Sequence, residues 1–208
     1  MDGMIIIYIL CLGMALYHRD KKTYIYFKTL TSLMFVATGI YYGYEKQDFR
    51  LLPVLLGFLI GDIMLATKLR RSFLYGMGGF LLADLWLVYS LYQWKPMKVY
   101  DFILSVLVLV FVNIISKNPK MHLGHYKKPM YGYGFILALA VSNSIGCFLL
   151  YGTKAYFMLS IGMVFYFISD FLLMFQYFYT TKHRDKLKIT KMLFYFTGAY
   201  MMACSIGL

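Results

Sequence analysis

The strongest constraint on this chain is a repeated alternation: long apolar runs separated by short basic loops. Eight such runs fall at roughly 4–17, 23–44, 51–68, 72–92, 99–116, 129–151, 155–178 and 189–207. Most approach the ~20 apolar residues that cross a bilayer as one helix. The runs do not alternate polar and apolar residues, which excludes a membrane β-barrel. Apolar residues make up 61% of the 208 and charged residues 14%, against about 25% charged in a soluble domain. The expected fold is therefore all-α: a polytopic bundle of eight transmembrane helices, with residues 1–208 as a single integral membrane domain.

The first run, "MDGMIIIYILCLGMALY", has no basic leader and no small-residue cleavage site, so it reads as a retained span rather than a signal peptide. Cys11, Cys147 and Cys204 all fall inside apolar runs and form neither a disulfide framework nor a metal-ligand spacing.

Loop charge sets an orientation. "HRDKK", "KLRR", "KNPKMHLGHYKK" and "KHRDKLK" hold 14 Lys/Arg, whereas the opposite side has only Lys46, Arg50, Lys95, Lys98 and Lys154. The positive-inside rule then puts the four basic loops in the cytoplasm and both termini on the extracytoplasmic side. Most of the net charge of +12 becomes a collar facing anionic headgroups. The expected location is the cell membrane, with membrane lipids as neighbours and no nucleic-acid partner. The sequence carries no signal for an oligomeric state.

The halves carry a faint resemblance to each other. "GFLIGDIMLA" in run 3 and "MVFYFISDFLLM" in run 7 each place a small residue, an Asp and then large apolar residues. Four helices per copy would make the repeat parallel, a four-plus-four arrangement about an axis along the membrane normal.

Charges inside the runs are the next signal. Asp62 interrupts "GFLIGDIMLATK", and Asp84 and Asp170 interrupt runs 4 and 7. Each carboxylate costs about 2.5–3.5 kcal/mol at a helix centre. Lys28, Asp62 and Asp170 lie five, six and eight residues from the basic ends of their runs, or about 8, 9 and 12 Å. They share one layer and form one polar pocket if runs 2, 3 and 7 meet. Tyr75, Tyr89, Tyr131 and Tyr133 are further candidates, because a phenol both donates and accepts. Gly57 and Gly61 form a G-x-x-x-G face suited to close helix packing. His122 and His125 stand in a Lys-rich loop, outside any helical ligand set. No metal or other cofactor is expected.

Several of these residues together carry a resemblance to a known family. They are Lys28 in "YFKTLTSL", Asp62 in "LIGDIML", an F-x-x-G-x-x-x-F-x-x-x-D arrangement of Phe73, Gly76, Phe80 and Asp84, and Ser169–Asp170 in "FYFISDFLL". The set resembles the YhhN family, whose animal members are the lysoplasmalogenases, from run 2 to run 8. The resemblance implies an eight-helix membrane hydrolase that cleaves the vinyl ether of a lysoplasmalogen to an aldehyde and a glycerophospho-base. It places Lys28, Asp62 and Asp170 on the family's polar positions. The chain departs from the family pattern at Asp84, where a histidine is usual, and at Thr29, where a proline is common. The last run also lacks the glutamine often found after its tyrosines.

A vinyl ether is opened by a proton on the enol carbon, followed by water. This needs an acid, a nearby anion and a positioned water, a division of labour that suits two carboxyls in different surroundings. The expected catalytic residues are Asp62 and Asp170, with Asp84 in support. Lys28, Tyr75, Tyr89, Tyr131, Tyr133 and Ser169 are the expected substrate-binding residues, and a lysophospholipid is the expected substrate. A lipid-binding protein or proton-coupled transporter uses intramembrane acids as readily and is the main alternative. A ceramidase-type metalloamidase would need histidines within the helices, where this chain has none.

Overall fold

A computed structural model describes residues 2–67 and 71–208. Lys68 and Arg70 of the second basic loop lie outside the described residues. Among the described residues, eight α-helices account for the eight apolar runs: α1 (Asp2–Tyr17), α2 (Tyr24–Lys46), α3 (Leu52–Ala66), α4 (Ser72–Tyr92), α5 (Ile103–Ser116), α6 (Lys127–Tyr151), α7 (Lys154–Phe178) and α8 (Arg184–Ser205). Short 3-10 turns lead into α5 and α6. Among the described residues the only β pairing is an isolated bridge between Met121 and Tyr179.

Ser72–Tyr92, Val99–Ser116, Gly124–Tyr151 and Lys154–Phe178 are long and apolar enough to cross a membrane. Gly3–Tyr17 and Leu52–Ala66 are apolar but shorter. The 15 residues of α3 rise about 22 Å, less than a hydrocarbon core of about 30 Å. α2 and α8 have 23 and 22 residues but are more polar. Length and apolarity alone thus support four of the eight expected spans. α8 starts at Arg184, five residues before the boundary read from sequence, because "RDKLK" forms its first turns. Asp185 in the first turn complements the positive end of the helix dipole.

Chain reversals follow from local chemistry. α6 stops at Gly152, whose φ of 62° is left-handed and whose N–H donates to the Phe148 carbonyl. The next residue, Thr153, caps α7 by accepting from the Tyr156 N–H at 3.3 Å.

α3 packs along α4 and α7 along α8, and in both pairs glycine permits the approach. A Cβ on Gly79 would lie 2.9 Å from the Gly61 nitrogen, and one on Gly198 would lie 2.5 Å from the Gly162 oxygen. The G-x-x-x-G face on α3 is therefore a helix contact. Further contacts join α1–α2, α2–α3, α5–α6 and α6–α7, while α4–α6 and α2–α8 tie the halves together. Shifting every helix number by four maps these contacts onto one another, while among the described residues the smaller α1–α8 contact has no equal between α4 and α5.

At the end away from the basic loops, the link between α4 and α5 folds inward. Lys95 and Asp101 are buried at 2% and 1% exposure, with Lys95 Nζ 2.7 and 2.6 Å from the two carboxylate oxygens. From sequence, Lys95 counts among the loop cations. The structure instead makes it the anchor of this link, packed against Gly146 of α6. At the basic end the loop holding His122 and His125 pairs with the end of α7: His122 N donates to the Phe178 oxygen at 2.8 Å.

Candidate functional site

The interior polar layer begins with an ion pair between α2 and α3. Lys28 and Asp62 are 5% and 1% exposed, and Lys28 Nζ lies 2.9 Å from Asp62 Oδ1. The same ammonium donates to the Asp62 backbone oxygen at 3.2 Å. Asp62 Oδ2 accepts from Ser32 at 2.6 Å and from Tyr195 of α8 at 2.7 Å. Donors thus meet both carboxylate oxygens, which is how an ionised carboxyl is held away from water.

A second cluster joins α4, α6 and α7. The Tyr133 hydroxyl donates to Asp170 Oδ2 and lies 2.8 Å from the Tyr166 hydroxyl. Tyr166 in turn is 3.5 Å from Asp84 Oδ2. Asp84 and Tyr166 are both 0% exposed, and Asp84 Oδ1 has no hydrogen-bond partner among the described residues.

The two clusters meet at a small cavity of about 20 Å³, lined by Lys28, Asp62, Ser169, Asp170, Lys191 and Tyr195 with apolar neighbours. This is room for about one water, and several polar groups stand ready to bind it. Two larger spaces lie near the cavity, and one of them, the apolar cleft, shares lining residues with it. Toward the basic loops, a vestibule of about 620 Å³ is lined by Arg19, Asp20, Lys21, Lys22, Tyr24, Ala66 and Lys188. On three helices its residues sit one turn from the acid cavity: Tyr24 before Lys28, Ala66 after Asp62, and Lys188 before Lys191 and Met192. Asp20, in the loop between α1 and α2, is held below the ordinary carboxylate range by its hydrogen bond from Lys188.

In the other direction runs an apolar cleft between α4, α5, α6 and α7, lined by Met77, Val108, Val112, Met130, Leu137, Phe167 and Met174. Leu65, Phe80, Asp170 and Leu173 border both the cleft and the acid cavity. Asp170 therefore stands where an apolar chamber meets a charged one.

Of the residues singled out from sequence, Lys28, Asp62, Asp170 and Ser169 converge on one cavity. Asp84 and Tyr133 join Asp170 through Tyr166. Tyr75 and Tyr89 are not brought in: they are 51% and 58% exposed. At 100° per residue, Tyr75 and Tyr89 stand about 180° and 140° around α4 from Asp84. Tyr131, two residues from Tyr133 and so on the far face of α6, bonds to Asn113 of α5 instead.

Sequence reasoning misses Ser32, Tyr166, Lys191 and Tyr195. Lys191 stands just beyond the last basic loop in the sequence, at the start of the eighth run, yet it lines the acid cavity. Helical spacing carries the signal, because Tyr166 is four residues before Asp170, Tyr195 four after Lys191, and Ser32 four after Lys28.

Chemically, the arrangement offers an ionised carboxylate fixed by a lysine, a second carboxyl bonded to phenols, and space for a water between them. These are the parts of acid–base chemistry on a substrate with an apolar tail.

Neither a curated protein nor a solved structure shows a significant match to the chain. The family model of the YhhN family matches residues 23–206, from the start of α2 to the end of α8. With its long apolar helices, the chain is a membrane protein that belongs to the YhhN family.

Proposed function

We propose that the protein is a membrane-embedded hydrolase that opens the vinyl ether of lysoplasmalogen-type lysophospholipids. The observation that carries this reading is the order of its three spaces. A cavity with two carboxyls shares four lining residues with an apolar cleft, and a basic vestibule stands one helical turn from that cavity on three helices. A lysolipid has the same order of parts: an anionic headgroup, a polar linkage and a single chain. Arg19, Lys21, Lys22 and Lys188 receive the phosphate. The cleft receives the chain. The enol ether then lies beside Asp170.

In this reading Asp170 is the acid and Asp62 the anion. Asp170 gives its proton to the enol carbon, and the ether oxygen takes up the positive charge as an oxocarbenium ion. Asp62, kept charged by Lys28, stabilises that cation. Water held between the carboxyls adds to the cationic carbon and returns a proton to Asp170. The hemiacetal then separates into fatty aldehyde and glycerophospho-alcohol. Lys191 and Ser169 orient the water and the linkage.

The spans are read as eight, in a parallel four-plus-four arrangement with both termini extracytoplasmic and the site on the cytoplasmic side. The matched contact sets of the two halves and the loop charges support this. The test is turnover by Asp62→Asn and Asp170→Asn in purified protein. Loss of aldehyde release by at least a hundredfold in both is expected. Near wild-type turnover in either would overturn the assignment.

A further inference from the structure

The link between Asp84 and Asp170 contains more contacts than its tyrosines have hydrogens. Asp84, Tyr166, Tyr133 and Asp170 form a row with three oxygen–oxygen contacts. Each contact needs one hydrogen, and each phenol has one to give. Two phenols leave one contact unsupplied, and a carboxyl hydrogen at one end of the row would complete it, the Tyr166–Asp84 contact being the longest of the three at 3.5 Å. The burial of Asp84 leads to the same conclusion. It is 0% exposed, and among the described residues its Oδ1 has no hydrogen-bond partner and no salt bridge reaches it. A full charge on Asp84 would be an unpaired charge in the bundle interior, an expensive arrangement.

We propose that Asp84 and Asp170 hold one carboxyl proton between them, exchanged through Tyr166 and Tyr133, and that Asp84 is the reserve acid of the site. The exchange balances. Asp84 gives its hydrogen to the Tyr166 oxygen, Tyr166 gives its own to Tyr133, and Tyr133 gives its own to Asp170. Only O–H bonds form and break, and the negative charge moves from Asp170 to Asp84. Asp170 borders the substrate spaces, whereas Asp84 is sealed behind the tyrosines. The row therefore supplies Asp170 with a proton without a path to bulk water. Its use in turnover rests on the reading of Asp170 as the acid; the shared proton does not.

The test is infrared spectroscopy of the full-length protein in detergent at neutral pH, unlabelled and with aspartate carboxyls labelled with carbon-13. No substrate is needed, so failure of the hydrolase reading leaves this test intact. The expected result is a protonated aspartate carbonyl band worth one carboxyl, moved by the label. Asp84→Asn and Asp170→Asn each remove or shift it. Tyr166→Phe, a conservative change that removes only the central hydroxyl, shifts it as well. No such band, a band worth two carboxyls, or a band untouched by either Asp170→Asn or Tyr166→Phe would overturn the proposal. If an Asp variant fails to fold, Tyr133→Phe takes its place: a shifted band supports the shared proton, and an unmoved band overturns it.

Discussion

Replacing Lys28 by methionine separates the architectural and chemical uses of the ion pair. Lys28 and Asp62 are almost fully buried and 2.9 Å apart. Removing one partner of such a pair leaves an unpaired buried charge, at a cost of about 3–5 kcal/mol. For a chain of this size, each kcal/mol shifts Tm by about 2–4 °C. Lys28→Met is therefore expected to lower Tm by about 6–20 °C, and Asp62→Leu, which strands the lysine, by a similar amount. The double variant removes both charges together. Its main residual defect is the Tyr195 hydroxyl without its acceptor, worth about 1–3 kcal/mol. It should therefore stand within about 3 kcal/mol of wild type, against about 6–10 kcal/mol if the two losses simply added. Thermal unfolding in detergent gives the stabilities, and aldehyde release on the same samples gives the activity. Stability should largely return in the double variant while activity does not. Additive losses would refute the buried clamp, and recovered activity would refute a chemical role for Asp62.

The other expectations concern separate parts of the bundle. Gly198→Leu forces a side chain onto the Gly162 backbone and should cost at least the ~1–3 kcal/mol of an overpacked core, read as a lower Tm or loss of the folded peak in size exclusion. Lys95→Met strands buried Asp101 at the opposite end. It should cost about 3–5 kcal/mol and leave turnover per folded molecule unchanged. Met77→Trp fills the apolar cleft and should move the substrate preference toward shorter chains in a competition assay read by mass spectrometry. Charge reversal at Lys21 and Lys22 in the vestibule should raise KM several-fold with little change in kcat, the mark of lost ground-state binding. That effect should fade at high salt.

How far the sequence leads differs between helices and site. The helix boundaries are legible because an apolar run bounded by charges leaves few choices for a backbone with no water to bond to. The exceptions are the start of α5, where Val99–Phe102 forms a 3-10 turn, and the start of α8, where a charged stretch from Arg184 is helical although it looks like a loop. The layer of Lys28, Asp62 and Asp170 is legible from depth alone, since distance along a helix converts directly to height. Rotation around each helix is less legible. It decides why Tyr133 is in and Tyr131 is out, and why Tyr75 and Tyr89 face away from Asp84. Lys191 is hidden by its neighbours: next to Lys186 and Lys188 it looks like one more collar charge, and only the packing of α8 against α7 and α2 turns it inward. The cleft beside Asp170 has no sequence signature, because its lining is the same mixture of Met, Val, Leu and Phe as the rest of the core.

The most direct measurement is to run the reaction in heavy water. Purified protein is given a lysoplasmalogen or the matching ester lysolipid in D₂O, and the products are analysed by mass spectrometry. Protonation at the enol carbon followed by capture of water predicts full-length fatty aldehyde from the vinyl ether alone. That aldehyde carries one deuterium on the carbon next to the carbonyl, above what free aldehyde acquires in the same buffer. No aldehyde, aldehyde without that deuterium, or equal cleavage of the ester would contradict the account.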